Sequence, residues 1–310
     1  MIVACTIAET RAALAGLPRP LGFIPTMGAL HEGHLSLVDA ANARCASVAA
    51  SVFVNPTQFG EGEDFEAYPR DEARDFALLE ERGTHLVFAP AVAEMYAQDS
   101  ATSVQVRGPL TEHYEGEHRP GHFDGMATVV TKLLGVVCPD VLFMGQKDAQ
   151  QLAVVRRFVR DLDIPVEVVG VPTMRERDGL AMSSRNAYLT AEQRAVAPDL
   201  YAALMAGAAA AARPHAGVKD VVVAAAGALL MPGAALALDE RPAALRGEAP
   251  PAATAFDLDY LAVVDPDTFE PRMHIAPGAL LIVAVRLGAI RLIDNVSLTP
   301  SAYPAKDATT

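Results

Sequence analysis

Between residues 20 and 171, short runs of continuous apolar residues alternate with longer stretches in which apolar positions recur every three or four residues. The runs are "LGFI" (21–24), "SVAASVFV" (47–54), "THLVFA" (84–89), "VLFMG" (141–145) and "VEVVGV" (166–171), each of strand length. In the stretch 124–137, Met126, Val129, Val130, Leu133, Leu134 and Val137 form one apolar stripe, the signature of a helix packed on one face. The stretch 148–161 repeats it, with Leu152, Val155 and Val159 on one side and Arg156, Arg157 and Arg160 elsewhere. Strands apolar throughout are covered on both faces, and strands separated by helices pair in parallel, so the pattern predicts a doubly wound, Rossmann-like α/β domain.

Past residue 172 the texture changes. Residues 191–230 are Ala-rich and predicted helical despite Pro198 and Pro214, and 231–255 mixes Pro, Gly and Ala as a long surface loop or linker does. "DLDYLAVVD" (257–265), "ALLIVAVRL" (279–287) and "AIRLIDNV" (289–296) predict strands of a small sheet. The expected organisation is a Rossmann-like domain over 1–173, a smaller C-terminal α+β domain over 174–298 acting as a lid, and a disordered tail over 299–310.

Composition narrows the function classes. A net charge of −13 opposes nucleic-acid binding, which is driven by Lys and Arg displacing counterions from phosphates, so any cations for an anionic ligand have to be gathered locally. Cys5, Cys45 and Cys138 are odd in number and lack C-x-x-C spacing, which suits free thiols in a reducing compartment and no structural zinc. The start of the chain lacks the pattern of a secretory signal, and the longest apolar run, from Val221, has 11 residues against the roughly 20 that a spanning helix needs. The expectation is a cytoplasmic protein with no membrane partner.

Ligands of doubly wound sheets bind at the carboxyl ends of the strands. The first expected strand runs into "PTMGALHEGH", the second into "NPTQFG", the fourth into "QKDAQQ" and the fifth into "PTMRERDGLAMSSR". His31 and His34 are open to three readings. A metal pair would call for the i, i+4 spacing of H-E-x-x-H or further ligands, whereas these are i, i+3 with no cysteine beside them. Surface or satisfied histidines are the commonplace alternative. Their position at a helix start after a strand and a Gly turn favours the third, an anion site, where main-chain N–H groups and the helix dipole attract phosphate.

"PTMGALHEGH" resembles the signature of the pantothenate synthetase family, among the nucleotidyltransferases that share H-x-G-H. The segments "FVNPTQF" (53–59), "YPRD" (68–71), "EGEHRPGHFDG" (115–125), "GQKDAQQ" (145–151) and "DGLAMSSRN" (178–186) resemble that family in order and spacing. The resemblance implies an enzyme that condenses pantoate with β-alanine, using ATP and Mg2+, through a pantoyl adenylate, and a homodimer. It implies an ATP site from Pro25, Met27, His31, His34, Gly145, Lys147, Asp148, Met174, Met182, Ser183, Ser184 and Arg185, with His31, His34, Lys147, Ser183 and Arg185 catalytic. Met27, Gln58 and Gln151 would bind pantoate, and Asn55, Gln58 and Glu115 β-alanine. Taken alone, Lys147 reads equally as a solvated lysine, the two glutamines as surface amides and Asn55 as a turn former; Arg119, His122 and Lys132 could offset ligand charge.

Two departures matter. Where many relatives have adjacent acids near magnesium, this chain has Arg74 and Asp75, leaving Asp75 as the one candidate metal ligand there and the phosphates as the main holders of the ion. Gln146 replaces the usual glutamate before the lysine. Two alternatives stand beside the ligase: a related nucleotidyltransferase that stops at the nucleotidylated product, and a nucleotide-binding regulator without turnover.

Overall fold

The computed structural model describes residues 1–60, 62–230 and 256–298, so the expected loop at 231–255 and tail at 299–310 lie outside the described residues. The chain divides into two compact units, Met1–Met174 and Arg175–Thr310.

The first unit is built on a six-stranded sheet of β1 (Ile2–Ala4), β2 (Leu21–Thr26), β3 (Ser47–Val52), β4 (Leu86–Phe88), β5 (Val141–Gly145) and β6 (Glu167–Val171), in the order β1-β4-β3-β2-β5-β6. Every pairing is parallel. Helices Glu32–Asn42, Glu72–Glu81, His122–Val137 and Ala149–Asp161 supply the crossovers. β3 is buried along its whole length, and Phe23, Ile24, Leu86, Val87, Phe88, Leu142 and Phe143 are fully buried, as expected of strands covered on both faces. The strand order reverses between β2 and β5, so the loops leaving these two strands flank the topological switch point, where such sheets bind ligands. The two loops are those carrying "PTMGALHEGH" and "QKDAQQ".

The structure differs from the expected pattern at the amino terminus, where β1 joins the sheet edge beside β4 and helix Ile7–Leu14 follows, capped by a reciprocal Thr6–Glu9 box. Expected strands at 47–54 and 84–89 shorten to Ser47–Val52 and Leu86–Phe88.

In the second unit, helices Asp199–Ala211 and Val218–Leu230 cover an antiparallel sheet of β7 (Phe256–Val264), β8 (Leu280–Leu287) and β9 (Ile290–Ser297) in the order β7-β8-β9. Leu200, Leu204, Val221, Leu281, Val283 and Val285 form its core. No helix among the described residues is long and apolar enough to cross a membrane.

Candidate active site

Helix Glu32–Asn42 opens with an unusual cap. His31 stands at the N-cap, and its Nδ1 accepts the Gly33 N–H at 3.1 Å, while the Nδ1 of His34 accepts the His31 N–H at 3.4 Å. The two imidazoles thus do for each other what Thr and Glu do in an ordinary capping box. Accepting at Nδ1 places the proton of a neutral ring on Nε2, so both rings present Nε2–H donors on their far sides. Their centroids are 4.1 Å apart with a 36° tilt. The expectation of open main-chain N–H groups here is corrected: Gly33 N–H goes to the His31 ring and His34 N–H to the His31 carbonyl at 2.8 Å, so these two amides are taken within the cap itself.

Burial, then the neighbouring His31 ring and the Lys147 charge, push the His34 pKa down to about 3. The ring is neutral at neutral pH, and Lys147 lies close enough to act on it. Lys147 sits in the single turn Gln146–Asp148 between β5 and helix Ala149–Asp161. Asp148 occupies that helix's N-cap but makes no side-chain cap bond; its carboxylate lies 4.0 Å from the Lys147 ammonium instead. Gln146 donates its amide to the Gly170 carbonyl at 3.2 Å, a bond that a glutamate could not give.

The turn ahead of His31 is held from beside it. Gly28 and Ala29 both have positive φ, +80° and +49°. The buried Asp75 carboxylate accepts the Ala29 and Leu30 N–H groups, each at 2.8 Å, and Arg74 donates to the Leu30 carbonyl at 3.1 Å. A Cβ on Gly28 would come within 2.8 Å of Asp75 Oδ2. This engagement departs from the metal-ligand reading of Asp75: both of its oxygens serve the turn, and no group of three or more His, Cys, Asp or Glu converges among the described residues. A protein-ligated magnesium does not fit this arrangement.

Met27 and Gln58 come together, the Gln58 amide lying 2.8 Å from Met27 Sδ, while Gln58 Oε1 accepts from Asn55 at 3.2 Å. Asn55 is fully engaged: its amide donates to Gln58 and to the Gly125 carbonyl, and its oxygen accepts from Thr57 and from the Tyr96 hydroxyl at 2.8 Å. It braces the turn, the role offered for it beside a β-alanine contact. Tyr96 escaped the sequence reading because one tyrosine, 41 positions away, carries no motif; Lys132 stands over its ring at 5.5 Å. A cavity lined by Met27, Gly28, Val52, Phe53, Phe65 and Asp75 opens alongside.

The remaining candidates of this unit have these places. Pro25 lies in β2 and Gly145 ends β5. Gln151 is half-buried in the first turn of helix Ala149–Asp161, and Met174 is exposed. Glu115 is buried, and its main-chain N–H reaches Gln150 Oε1 at 3.1 Å.

In the second unit, Ser183 caps the turn Ser184–Tyr188 by accepting the Arg185 N–H, and Met182, Ser184 and Arg185 are half-buried beside it. Gly179 is a packed turn with φ +96°, where a Cβ would meet Tyr201 at 2.6 Å. Arg175 anchors this turn by a two-pronged bond to the buried Asp294 and a third to the Gly179 carbonyl.

The sequence profile described as pantoate-β-alanine ligase matches residues 2–297. The chain belongs to the pantoate-β-alanine ligase family. It is 52% identical to the pantothenate synthetase of Thermus thermophilus over 296 residues, 95% of this chain and 98% of that one. It is similar to the pantothenate synthetase of Rhizorhabdus wittichii at 51% identity, covering 91% and 92%. A crystal structure of the Thermus thermophilus protein superposes with a TM-score of 0.86 at 50% identity, covering 97% of this chain and all of that one. A pantoate-β-alanine ligase from Francisella tularensis, crystallised with β,γ-ATP and β-alanine, aligns at 28% identity with a TM-score of 0.74, over 96% of this chain and 98% of that one.

Proposed function

We propose that this pantoate-β-alanine ligase activates pantoate with ATP and passes the acyl group to β-alanine. A carboxylate and an ammonium at neutral pH form a salt, so a leaving group has to be installed. A pantoate carboxylate oxygen attacks the α-phosphorus of ATP, the bond between that phosphorus and its bridging oxygen breaks, and pyrophosphate departs with the electron pair. The β-alanine amine, having given one proton to solvent, then attacks the acyl carbon; the bond from that carbon to the AMP phosphate oxygen breaks, AMP leaves with the electron pair, and the nitrogen gives up a second proton as the amide forms.

These steps need alignment and stabilisation of charge on the phosphoryl oxygens. The observation that carries the reading is the mutual capping of His31 and His34: with each Nδ1 accepting a main-chain N–H, the proton of each neutral ring sits on Nε2, and the His34 ring feels the Lys147 charge at the switch point. The rings donate to phosphate oxygens through Nε2–H as neutral groups, and Lys147 supplies the charge. Pro25, Met27, Gly145, Asp148 and Met174 complete the nucleotide contacts of the first unit. Met27, Gln58 and Gln151 hold pantoate, and Glu115 meets the β-alanine ammonium. For the second unit, Met182, Ser183, Ser184 and Arg185 keep the role that the resemblance gives them, contacts to ATP. Magnesium belongs to the nucleotide, held by phosphates and water. A reducing, cytoplasmic setting suits the three free thiols, and the homodimer rests on the resemblance, to be checked by sedimentation.

Exchange of labelled pyrophosphate into ATP tests the reading. It should require pantoate and proceed without β-alanine, with pantothenate appearing when β-alanine is added. No exchange contradicts adenylation; exchange without amide formation marks a nucleotidyltransferase.

A further inference from the structure

The turn carrying Gln58 is seated on the N-terminus of helix His122–Val137 by main-chain contact. A Cβ on Gly125 would fall 2.1 Å from the Thr57 carbonyl oxygen, and the Asn55 amide donates to the Gly125 carbonyl at 3.2 Å. The third tie is His122, which is buried, with its Nδ1 2.9 Å from the Gln58 carbonyl oxygen and its Nε2 3.2 Å from a guanidinium nitrogen of Arg119.

The chemistry of the neighbours assigns the tautomer. A guanidinium only donates and a carbonyl only accepts, so Nε2 accepts a hydrogen bond from Arg119 and Nδ1–H donates one to the Gln58 carbonyl. Arg119 in turn is held by Glu63 through a two-pronged pair at 2.8 and 2.7 Å, which fixes the fork that selects this tautomer. Burial and the Arg119 charge lower the His122 pKa to about 4, in keeping with a neutral ring. No step of the ligase reaction outlined above uses this histidine.

We propose that His122 is a positioning residue: the Glu63–Arg119 pair locks its ring as the Nδ1–H tautomer, which holds the Gln58 main chain and so aims the Gln58 amide at pantoate. The inference rests on Gln58 being a pantoate contact. It predicts an asymmetry between two conservative replacements, because an asparagine amide reaches about where Nδ1 lies and a glutamine amide about where Nε2 lies. His122→Asn keeps the donor to Gln58, whereas His122→Gln keeps only the side facing Arg119.

Steady-state kinetics of the full chain read the difference. His122→Gln should raise the KM for pantoate about tenfold, the value of one lost hydrogen bond, with the KM for ATP unchanged, and His122→Asn should restore the pantoate KM to near that of the parent. Equal effects of the two replacements, or a change shared by both substrates, would show a packing role and overturn the proposal. Gln58→Ala separates the inference from the reading beneath it: if that variant keeps its pantoate KM, the assignment of Gln58 fails and the inference falls with it. If it loses pantoate affinity while His122→Gln does not, the inference alone fails. Should the variants not fold, nitrogen-15 NMR of the parent decides, an Nδ1–H tautomer for His122 supporting the proposal and an Nε2–H or doubly protonated ring at neutral pH refuting it.

Discussion

Asp75 grips the peptide just ahead of His31: Leu30 gives its N–H to the Asp75 carboxylate at 2.8 Å, 45 positions along the chain. With Arg74 on the Leu30 carbonyl, both ends of that residue are fixed from the start of helix Glu72–Glu81. Asp75→Asn puts an amide NH2 against one of two main-chain donors. Pyrophosphate exchange should slow by about 10- to 100-fold, in proportion to lost preorganisation, with the magnesium activation constant unchanged. A titration of rate against magnesium checks this, and a large rise in the activation constant would return Asp75 to the metal.

Lys147→Ala should separate the substrates. Removing the ammonium takes charge from the nucleotide side of the switch point, so the KM for ATP or the exchange rate should worsen by about 100-fold while pantoate affinity changes little. Initial rates over both substrates test it; near-normal ATP kinetics would sink the role of this lysine.

Gly125→Ala should be severe despite its small size. The added methyl meets the Thr57 carbonyl oxygen at 2.1 Å, a backbone atom that cannot swing aside. Overpacking of this kind costs about 1–3 kcal/mol, and more where backbone must shift. Thermal unfolding should fall by several degrees, and the surviving enzyme should bind pantoate poorly because the Asn55–Gln58 turn has moved.

Stability should rise with pH on the acid side. His34 and His122 have pKa values near 3 and 4 when folded and about 6.5 when unfolded, so between about pH 4 and 6.5 the unfolded chain binds more protons. The stabilising contribution is complete above about 6.5 and drains away as pH falls toward the folded values. Urea midpoints across this window measure it, and His122→Asn should flatten the slope relative to the parent by removing one of the two groups.

The strands and the switch-point loops were legible because continuous apolar runs and H-x-G-H are local patterns. β1 was not, since three residues at a sheet edge with Ile2 and Val3 exposed carry no period. Asp148 has the residue type of a cap, but its side chain lies toward Lys147 and makes no cap bond. The metal reading of Asp75 came from the acids that many relatives carry near this point; only the fold brings its oxygens to Ala29 and Leu30. Gly125 and Tyr96 were silent for the same reason, their roles being contacts with a turn far away in sequence.

The most direct test of the account is nitrogen-15 NMR of the histidine side chains with and without a non-hydrolysable ATP analogue. The account predicts neutral Nε2–H tautomers for His31 and His34 at neutral pH, with both Nε2–H signals shifting as the analogue binds. Rings protonated on Nδ1, or Nε2–H signals that ignore a bound analogue, would contradict it.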